Sequence, residues 1–234
     1  MKNTILNKTK LVNSVFSNVS EKYDLMNDLM SFGIHRVWKQ KFVDWMNPSK
    51  NSKLIDVASG TGDIAKLFSI RNKNFSEITC VEPNNEMFVK GKNNLKHFQN
   101  IKWIKSKAET LPVPDDTYDF YSISYGIRNV SDINQSLKEA YRVLKPGGRF
   151  MCLEFSKVDN ELINFLYKYY SKALPMIGQY VVGSSKPYEY LVKSIDSFYD
   201  QKQLLDLMTK NGFINVEYRN LSNGISAIHS GWKI

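Results

Sequence analysis

The sequence predicts an α/β fold built on a mostly parallel, seven-stranded sheet that ends in an antiparallel hairpin. Three observations carry this. From Lys53 onward short apolar runs alternate with helical patterns, which implies βαβ units and parallel strands. A glycine turn, Ser59-Gly60-Thr61-Gly62, joins the first strand-like run to the helix after it. Near the end, two strand-like runs flank Ser222-Asn223-Gly224, and an Asn-Gly turn between strands marks a hairpin.

The elements follow in order. Residues 1–50 read as a helical cover, punctuated at Ser20, Tyr23-Asp24 and Ser31-Phe32-Gly33, with an amphipathic stripe over 34–46. Strands are expected at 53–58, 77–82, 101–105, 118–124 and 149–155, separated by helices at Asp63–Ile70, Asn84–Phe98 and Ile133–Leu144. Lys145-Pro146-Gly147-Gly148 predicts an abrupt helix end and a turn into the fifth strand. Residues 157–199 are an aromatic-dense helical insertion, too small for a domain, in which Pro175 and Gly178 predict helix breaks. Asp200–Asn211 is a helix stopped by Gly212, and strands at 213–220 and 225–232 complete the hairpin. At 234 residues, the chain is expected to form one domain spanning 1–234.

Composition narrows the function classes. Hydrophobic residues make up 42% and aromatics 13%, enough for a packed core, which excludes a disordered chain. Net charge is +9, yet only six of the 32 basic residues are Arg. Proteins that grip phosphate favour Arg, so the charge reads as lysine bias with a share at an anionic membrane surface rather than as a nucleic-acid footprint. Cys80 and Cys152 both lie in apolar strand runs and read as buried reduced thiols. No apolar run reaches the roughly 18 residues of a membrane-spanning helix. The start lacks a secretory signal pattern, so a reducing, cytoplasm-like compartment is expected. No metal-binding set is expected.

The chemistry concentrates where strands meet helices. Glycines after the first strand let the backbone pass close to a ligand, and the helix N-terminus offers free amides. The turn is G-x-G without the third glycine, since Ala occupies position 65. Glu82 ends the next strand 20 residues after Gly62, where an acid accepts both hydroxyls of a ribose. Asp63 stands where a pyrophosphate would want no negative charge; it suits a cofactor with a cationic amino-acid part, such as S-adenosylmethionine. The loop Lys107-Ala108-Glu109-Thr110-Leu111-Pro112 is placed to border an adenine. Ser124-Tyr125-Gly126-Ile127-Arg128-Asn129 closes the fourth strand at the edge where ligands of open sheets bind.

With these blocks in view, the chain resembles the ubiquinone/menaquinone biosynthesis C-methyltransferase family (UbiE/MenG type). The resemblance rests on residues 15–39, IDVASGTGD (55–63), AETLPVPDDTYD (108–119), ISYGIRNV (123–130), YRVLKPGGRF (141–150), YEYLVKSI (188–195) and GISAIHSGWK (224–233). It implies a Rossmann-like class I methyltransferase fold, S-adenosylmethionine as cofactor, and methylation of a ring carbon of a polyprenyl benzoquinol or of demethylmenaquinol. Carried over by position, the cofactor contacts are Thr61 in the turn, Glu82 where most members have Asp, Lys107 with Ala108, and Ser124; Gly60, Gly62 and Asp63 join them as cofactor-binding candidates from the turn's own chemistry. Ser59 replaces a usual Gly, and Lys107 a usual Asn or Asp, so only a backbone contact carries over at Lys107.

Ring methylation needs an electron-rich ring, so something must favour the phenolate and take up its proton. The resemblance implies Arg128, with Asn129 as its neighbour, acting through a water. A guanidinium stays protonated, so the expected role is electrostatic, against the alternative of a loop Arg paired with a carboxylate. Tyr23 joins the candidate catalytic set from the N-terminal cover. His35 reads as a capping or core histidine and His229 as structural. The insertion is a candidate tail channel or membrane-facing groove through Phe165, Leu166, Tyr169, Tyr170, Leu174, Met176 and Ile177. Lys168, Lys172, Lys186 and Lys193 lie nearby to suit an anionic bilayer face. Expected partners are therefore the quinol, a membrane surface (the inner face of a bacterial plasma membrane, or the matrix face in a mitochondrion), and quinone-biosynthesis proteins or a second copy, with no nucleic acid. Two rivals remain open. One is a non-catalytic cofactor-binding subunit of a quinone-synthesis assembly; the other is an RNA or other small-molecule methyltransferase on the same fold.

Overall fold

The computed structural model describes residues 28, 31, 33–182 and 185–234, and excludes the side chains of 168, 177, 181 and 182. Tyr23 lies outside the described residues. The cover contributes α1 (His35–Met46), which leads into β1 (Lys53–Val57). Then come α2 (Asp63–Arg71), β2 (Glu77–Val81), α3 (Asn85–Asn94), β3 (Ile101–Ile104) and β4 (Tyr118–Ser124). A 3-10 turn at Ile127–Asn129 precedes α4 (Ile133–Val143) and β5 (Leu144–Phe155). The insertion forms α5 (Glu161–Val182) and α6 (Lys186–Asp196), followed by α7 (Gln201–Lys210), β6 (Ile214–Leu221) and β7 (Ser226–Trp232).

The sheet runs β3-β2-β1-β4-β5-β7-β6, and β7 alone opposes the other six. Strand order reverses between β1 and β4, which creates a crevice at their carboxyl ends. Central strands alternate between two cores, as the two-residue strand period requires. Leu54, Cys80, Phe120, Met151 and Leu153 face one core, capped by α1, α2, α5 and α6. Ile55, Val81, Tyr121, Ile123, Phe150 and Cys152 face the other, capped by α4 and α7. Both cysteines are buried and unpaired, and burial pushes both thiols up. Helix starts are written locally: Asn84 accepts from the Met87 amide, Asp132 from Gln135, and Asp200 forms a capping box with Gln203.

Three expectations need correction. Lys145-Pro146-Gly147-Gly148 is not a turn before the strand. α4 ends at Val143, and β5 runs from Leu144 straight through these residues, absorbing them as an irregularity against β4 with Gly147 at φ 79°. α5 is not broken at Pro175 or Gly178 but is one helix of 22 residues. Leu174 is buried in the core beside the proline, and this packing holds the helix across the lost amide. Gly178 is a close approach rather than a stop, since a Cβ there would overlap the Tyr188 ring of α6. Finally, of the two expectations for the insertion, a channel or a membrane-facing groove, the described apolar residues do not enclose the channel, and the Ile177 side chain lies outside the described residues. Leu174 is buried and Tyr170 packs on the core, but Phe165, Leu166, Tyr169 and Met176 are 57, 58, 64 and 66% exposed.

Substituting Gly178→Ala should lower stability by about 1–3 kcal/mol through overpacking, read as a lower urea midpoint. The companion change Tyr188→Leu should restore part of it. A midpoint unmoved by Gly178→Ala would mean that α5 and α6 do not pack this closely.

Candidate active site

The site forms where β1 and β4 end side by side. A cleft there is lined by Lys39, Asp56, Ala58, Ser59, Gly60, Thr61, Asp63, Ile64, Ser124 and Tyr125. Ala58 and Tyr125 both adopt left-handed backbone, each at φ 54°, a strain that persists only where surroundings enforce it. The enforcement is contact between the two loops, because a Cβ on Gly126 would lie 2.5 Å from that of Ala58. Gly62, at φ 88°, turns the chain into α2 with room for no side chain, as a Cβ would meet Leu95 at 2.5 Å.

Ser59 does more than fit. Its hydroxyl donates to the Asp56 carbonyl at 2.6 Å and accepts from the Val81 amide at 3.1 Å, tying the turn to β2. Glu82 completes that tie. Its carboxylate accepts from the Gly60 amide and from the Asn84 amide, both at 2.9 Å. Burial pushes Glu82 up to about 7 against these two bonds.

Asp63 opens α2 and accepts from the Lys39 ammonium of α1 at 2.6 Å. Burial raises its carboxyl, but the Lys39 charge and hydrogen bond outweigh burial, and it lies below the usual range. Asp56 on β1 is buried, and one oxygen accepts from Ser122 at 2.6 Å. Its other oxygen and the Ser124 hydroxyl are buried without a hydrogen-bond partner among the described residues. Burial pushes Asp56 up to about 7.

Beside the cleft lies the Ile127–Asn129 turn. Arg128 is buried and bonds through one guanidinium nitrogen to Glu154 of β5 at 2.5 Å and to the Tyr125 carbonyl at 2.8 Å. Its Nε faces the Ser194 hydroxyl of α6 at 3.3 Å, and its guanidinium lies 5.5 Å from the Phe155 ring centroid. Burial pushes Glu154 up, and Arg128 opposes that shift. Asn129 accepts from the Tyr190 hydroxyl of α6 at 2.8 Å.

The predicted residues thus divide. Gly60, Thr61, Asp63 and Ser124 share the cleft wall, Gly62 turns the chain between Thr61 and Asp63 without lining it, and Glu82 braces the turn through the Gly60 amide. Arg128 and Asn129 occupy the adjoining turn. Lys107 is exposed, its carbonyl accepting from the Thr110 amide at 3.2 Å, while Ala108 is buried in the core facing α4. His35 is buried and bonds Asp28 at 2.9 Å, and burial lowers it. His229 bonds the Gln201 carbonyl at 2.8 Å, and burial pushes it down to about 4. Sequence reasoning missed Lys39, Asp56, Glu154 and Tyr190. Asp56 alone carried a local signal, as an acid in a strand four residues before the first glycine of the turn; the others come from distant elements.

Comparisons with known proteins identify the scaffold. The sequence profile of the ubiE/COQ5 methyltransferase family matches residues 3–233. The chain belongs to this family. A Rickettsia bellii protein named ubiquinone/menaquinone biosynthesis C-methyltransferase UbiE is 52% identical, with 97% of this chain and 94% of that protein covered. A Rickettsia akari protein of the same name is also 52% identical over the same shares. Among solved structures, a Thermotoga maritima S-adenosylmethionine-dependent methyltransferase aligns at TM-score 0.67 and 22% identity, covering 94% of this chain and 99% of that one. A Haemonchus contortus phosphoethanolamine N-methyltransferase aligns at 0.63 and 12%, covering 84% of this chain and 52% of that one. These structures share the fold of class I methyltransferases.

The chain is an S-adenosylmethionine-dependent methyltransferase. Its cleft fits that donor in chemistry. Two unpartnered buried polar atoms, on Asp56 and Ser124, face it, and Gly60 leaves open space where a Cβ would stand.

The raised Asp56 carboxyl has a measurable consequence. The folded state keeps its proton between about pH 4 and pH 7 while the unfolded chain releases it, so this group's contribution to stability falls as pH rises through that window. Relative to Asp56→Asn, wild-type protein should lose stability from pH 4 to pH 7 in urea titrations. A difference independent of pH would contradict the burial argument.

Proposed function

We propose that this methyltransferase transfers a methyl group to a ring carbon of a polyprenylated benzoquinol, of demethylmenaquinol, or of both, working as one domain. The observation that carries the reading is the 52% identity, across nearly the whole of both chains, to a relative named for that reaction. The Arg128–Asn129 turn beside the cleft supplies matching chemistry.

In this reading Gly60, Thr61, Gly62 and Asp63 hold the donor at the turn, Glu82 takes its ribose, the Lys107–Ala108 backbone borders its adenine, and Ser124 closes the site. When bound, S-adenosylmethionine supplies a methyl group on a sulfonium, open to in-line attack. Holding two reactants aligned contributes several kcal/mol to lowering the barrier. Arg128 stabilises the phenolate that forms as the ring hydroxyl loses its proton. The proton leaves through water, because a guanidinium remains protonated. Asn129, oriented by Tyr190, directs that water, and Tyr23 acts from the cover. The Glu154 pairing is compatible with this role, since it fixes the guanidinium and leaves nitrogen donors for the phenolate.

The exposed face of α5 supports peripheral attachment to a membrane. Leu162, Phe165, Leu166, Tyr169, Met176 and Tyr180 recur at helical spacing and are all more than half exposed, and Lys172 of the same helix and Lys186 and Lys193 of α6 are exposed as well. Such a face suits an anionic bilayer, where a polyprenyl tail resides. Among the described residues no helix is long and apolar enough to cross a membrane.

Two measurements test these assignments. Arg128→Ala, made together with Glu154→Gln so that no buried carboxylate is stranded, should cut methyl transfer to either quinol by about 100–1000-fold. The Glu154→Gln control should stay far closer to wild type, and S-adenosylhomocysteine should bind both. Unchanged turnover removes Arg128 from the mechanism. In co-sedimentation with phosphatidylglycerol vesicles, Phe165→Glu with Tyr169→Glu should abolish most binding at low salt; undiminished binding would rule out α5 as the contact.

A further inference from the structure

We propose that His35, oriented by Asp28, is the group that takes up the proton leaving the ring hydroxyl. The inference deepens the quinol reading above and rests on it: there the proton departs through water, and here it has a destination.

The tautomer of His35 follows from a chain of three residues. Asp28 accepts from the Arg36 guanidinium through both carboxylate oxygens, from Nη1 at Oδ1 and from Nη2 at Oδ2, the latter at 2.9 Å. The Arg36 bonds hold its carboxyl below the usual range despite partial burial, so Asp28 is ionised and can only accept. His35 Nε2, 2.9 Å from Asp28 Oδ1, therefore carries the proton and donates. Nδ1 is left with its lone pair. That atom is buried and has no hydrogen-bond partner among the described residues. His229 also leaves its Nδ1 unpartnered, but its Nε2 meets only a backbone carbonyl. His35 alone of the two has an ionised carboxylate behind it, ready to stabilise an imidazolium.

Its place in the fold suits the task. His35 opens α1, three residues before Trp38 and four before Lys39, so both side chains neighbour it on the helix surface. Lys39 reaches Asp63 in the cleft at 2.6 Å. Trp38 packs edge-on against Phe155, with 6.4 Å between centroids, and the Arg128 guanidinium lies 5.5 Å from the centroid of that same Phe155 ring. The first turns of α1 thus border the donor cleft on one side and the aromatic support of Arg128 on the other. The reacting ring must lie between the methyl donor and Arg128.

Protons and electrons balance. The ring hydroxyl gives its proton to a water, and that water gives one to His35 Nδ1. The imidazolium keeps its Nε2–H on the Asp28 carboxylate. The ring carbon beside the oxygen bonds to the methyl group as the C–S bond breaks, and the electron pair of that bond stays on sulfur. The same ring carbon then sheds its hydrogen as a proton to water, and the C–H electron pair restores the aromatic ring. The imidazolium returns the first proton to the ring oxygen, so one proton is released per methyl transferred. The charged groups around His35 are Asp28, Arg36, Lys39 and, from α2, Asp63. Burial first and the Lys39 charge next lower its hold on a proton, with Asp28 opposing, so the resting histidine is neutral and able to accept.

The test follows methyl transfer from S-adenosylmethionine to demethylmenaquinol and to the polyprenyl benzoquinol. His35→Ala should slow turnover by about 100–1000-fold while S-adenosylhomocysteine binds within about threefold of wild type, which reports a folded donor site. Added imidazole should restore part of that activity, a rescue that a packing role would not produce. Independently of that variant, wild-type kcat/KM should fall on the acid side with a midpoint below the ordinary histidine value. Asp28→Asn, which removes the charge that favours the imidazolium, should move that midpoint to still lower pH. Turnover of His35→Ala within about threefold of wild type, no response to imidazole, or an acid limb unmoved by Asp28→Asn would overturn the assignment and leave the quinol reading intact. Wild-type protein that methylates neither quinol would overturn both.

Discussion

Burying carboxylates at the carboxyl edge of a parallel sheet is the constraint around which this protein is arranged. Asp56 on β1, Glu82 after β2 and Glu154 on β5 are 1, 6 and 1% exposed. Each would be costly if left unpaired. Each is paired differently: Asp56 by a serine hydroxyl, Glu82 by two backbone amides, and Glu154 by Arg128 and the Phe155 amide. Those pairings fix the loops. The Gly60 amide is held by Glu82, and the turn after β4 is pinned through Arg128 to Glu154. The cleft owes its shape to these bonds more than to the glycines that make it sterically possible.

The insertion gains a second meaning from the same bonds. Its inner helix, α6, meets the turn after β4 through Tyr190 to Asn129 and Ser194 to Arg128. Its outer helix, α5, covers α6 by bringing Gly178 against Tyr188 and leaves its apolar stripe exposed. One segment therefore buttresses the Arg128–Asn129 turn on one side and leaves an apolar stripe exposed on the other. Whatever bears on α5 is mechanically close to Arg128.

The N-terminal cover works in a similar way from the opposite flank. α1 buries Trp38, Phe42 and Met46, and the Trp38 indole donates to the Ser222 hydroxyl at 3.1 Å in the terminal hairpin turn. Arg149 of the YRVLKPGGRF block lies between Trp45 and Trp232, with its guanidinium 5.0 and 4.9 Å from their ring centroids, and donates to the Trp45 carbonyl. That arginine joins α1 to β5 and β7 and takes no part in the cleft.

The strands, the glycine turn and the terminal hairpin were legible from the sequence, because strand periodicity and turn chemistry act over a few residues. So were Glu82 and the Arg128–Asn129 turn, which sit at the ends of legible strands. The continuity of α5 through Pro175 was not, since a core contact at Leu174 overrides a local helix-breaking signal. Nor was the passage of β5 through Lys145–Gly148, where pairing with β4 decides the backbone. Lys39, Glu154 and Tyr190 belong to the site only by packing, because each reaches it from an element far away in the chain. Sequence alone pointed to the carboxyl edge of the sheet as the candidate site and to S-adenosylmethionine as the methyl donor. Tertiary structure decided which charges oppose one another there, because desolvation and pairing depend on what packs around a side chain and not on its neighbours along the chain.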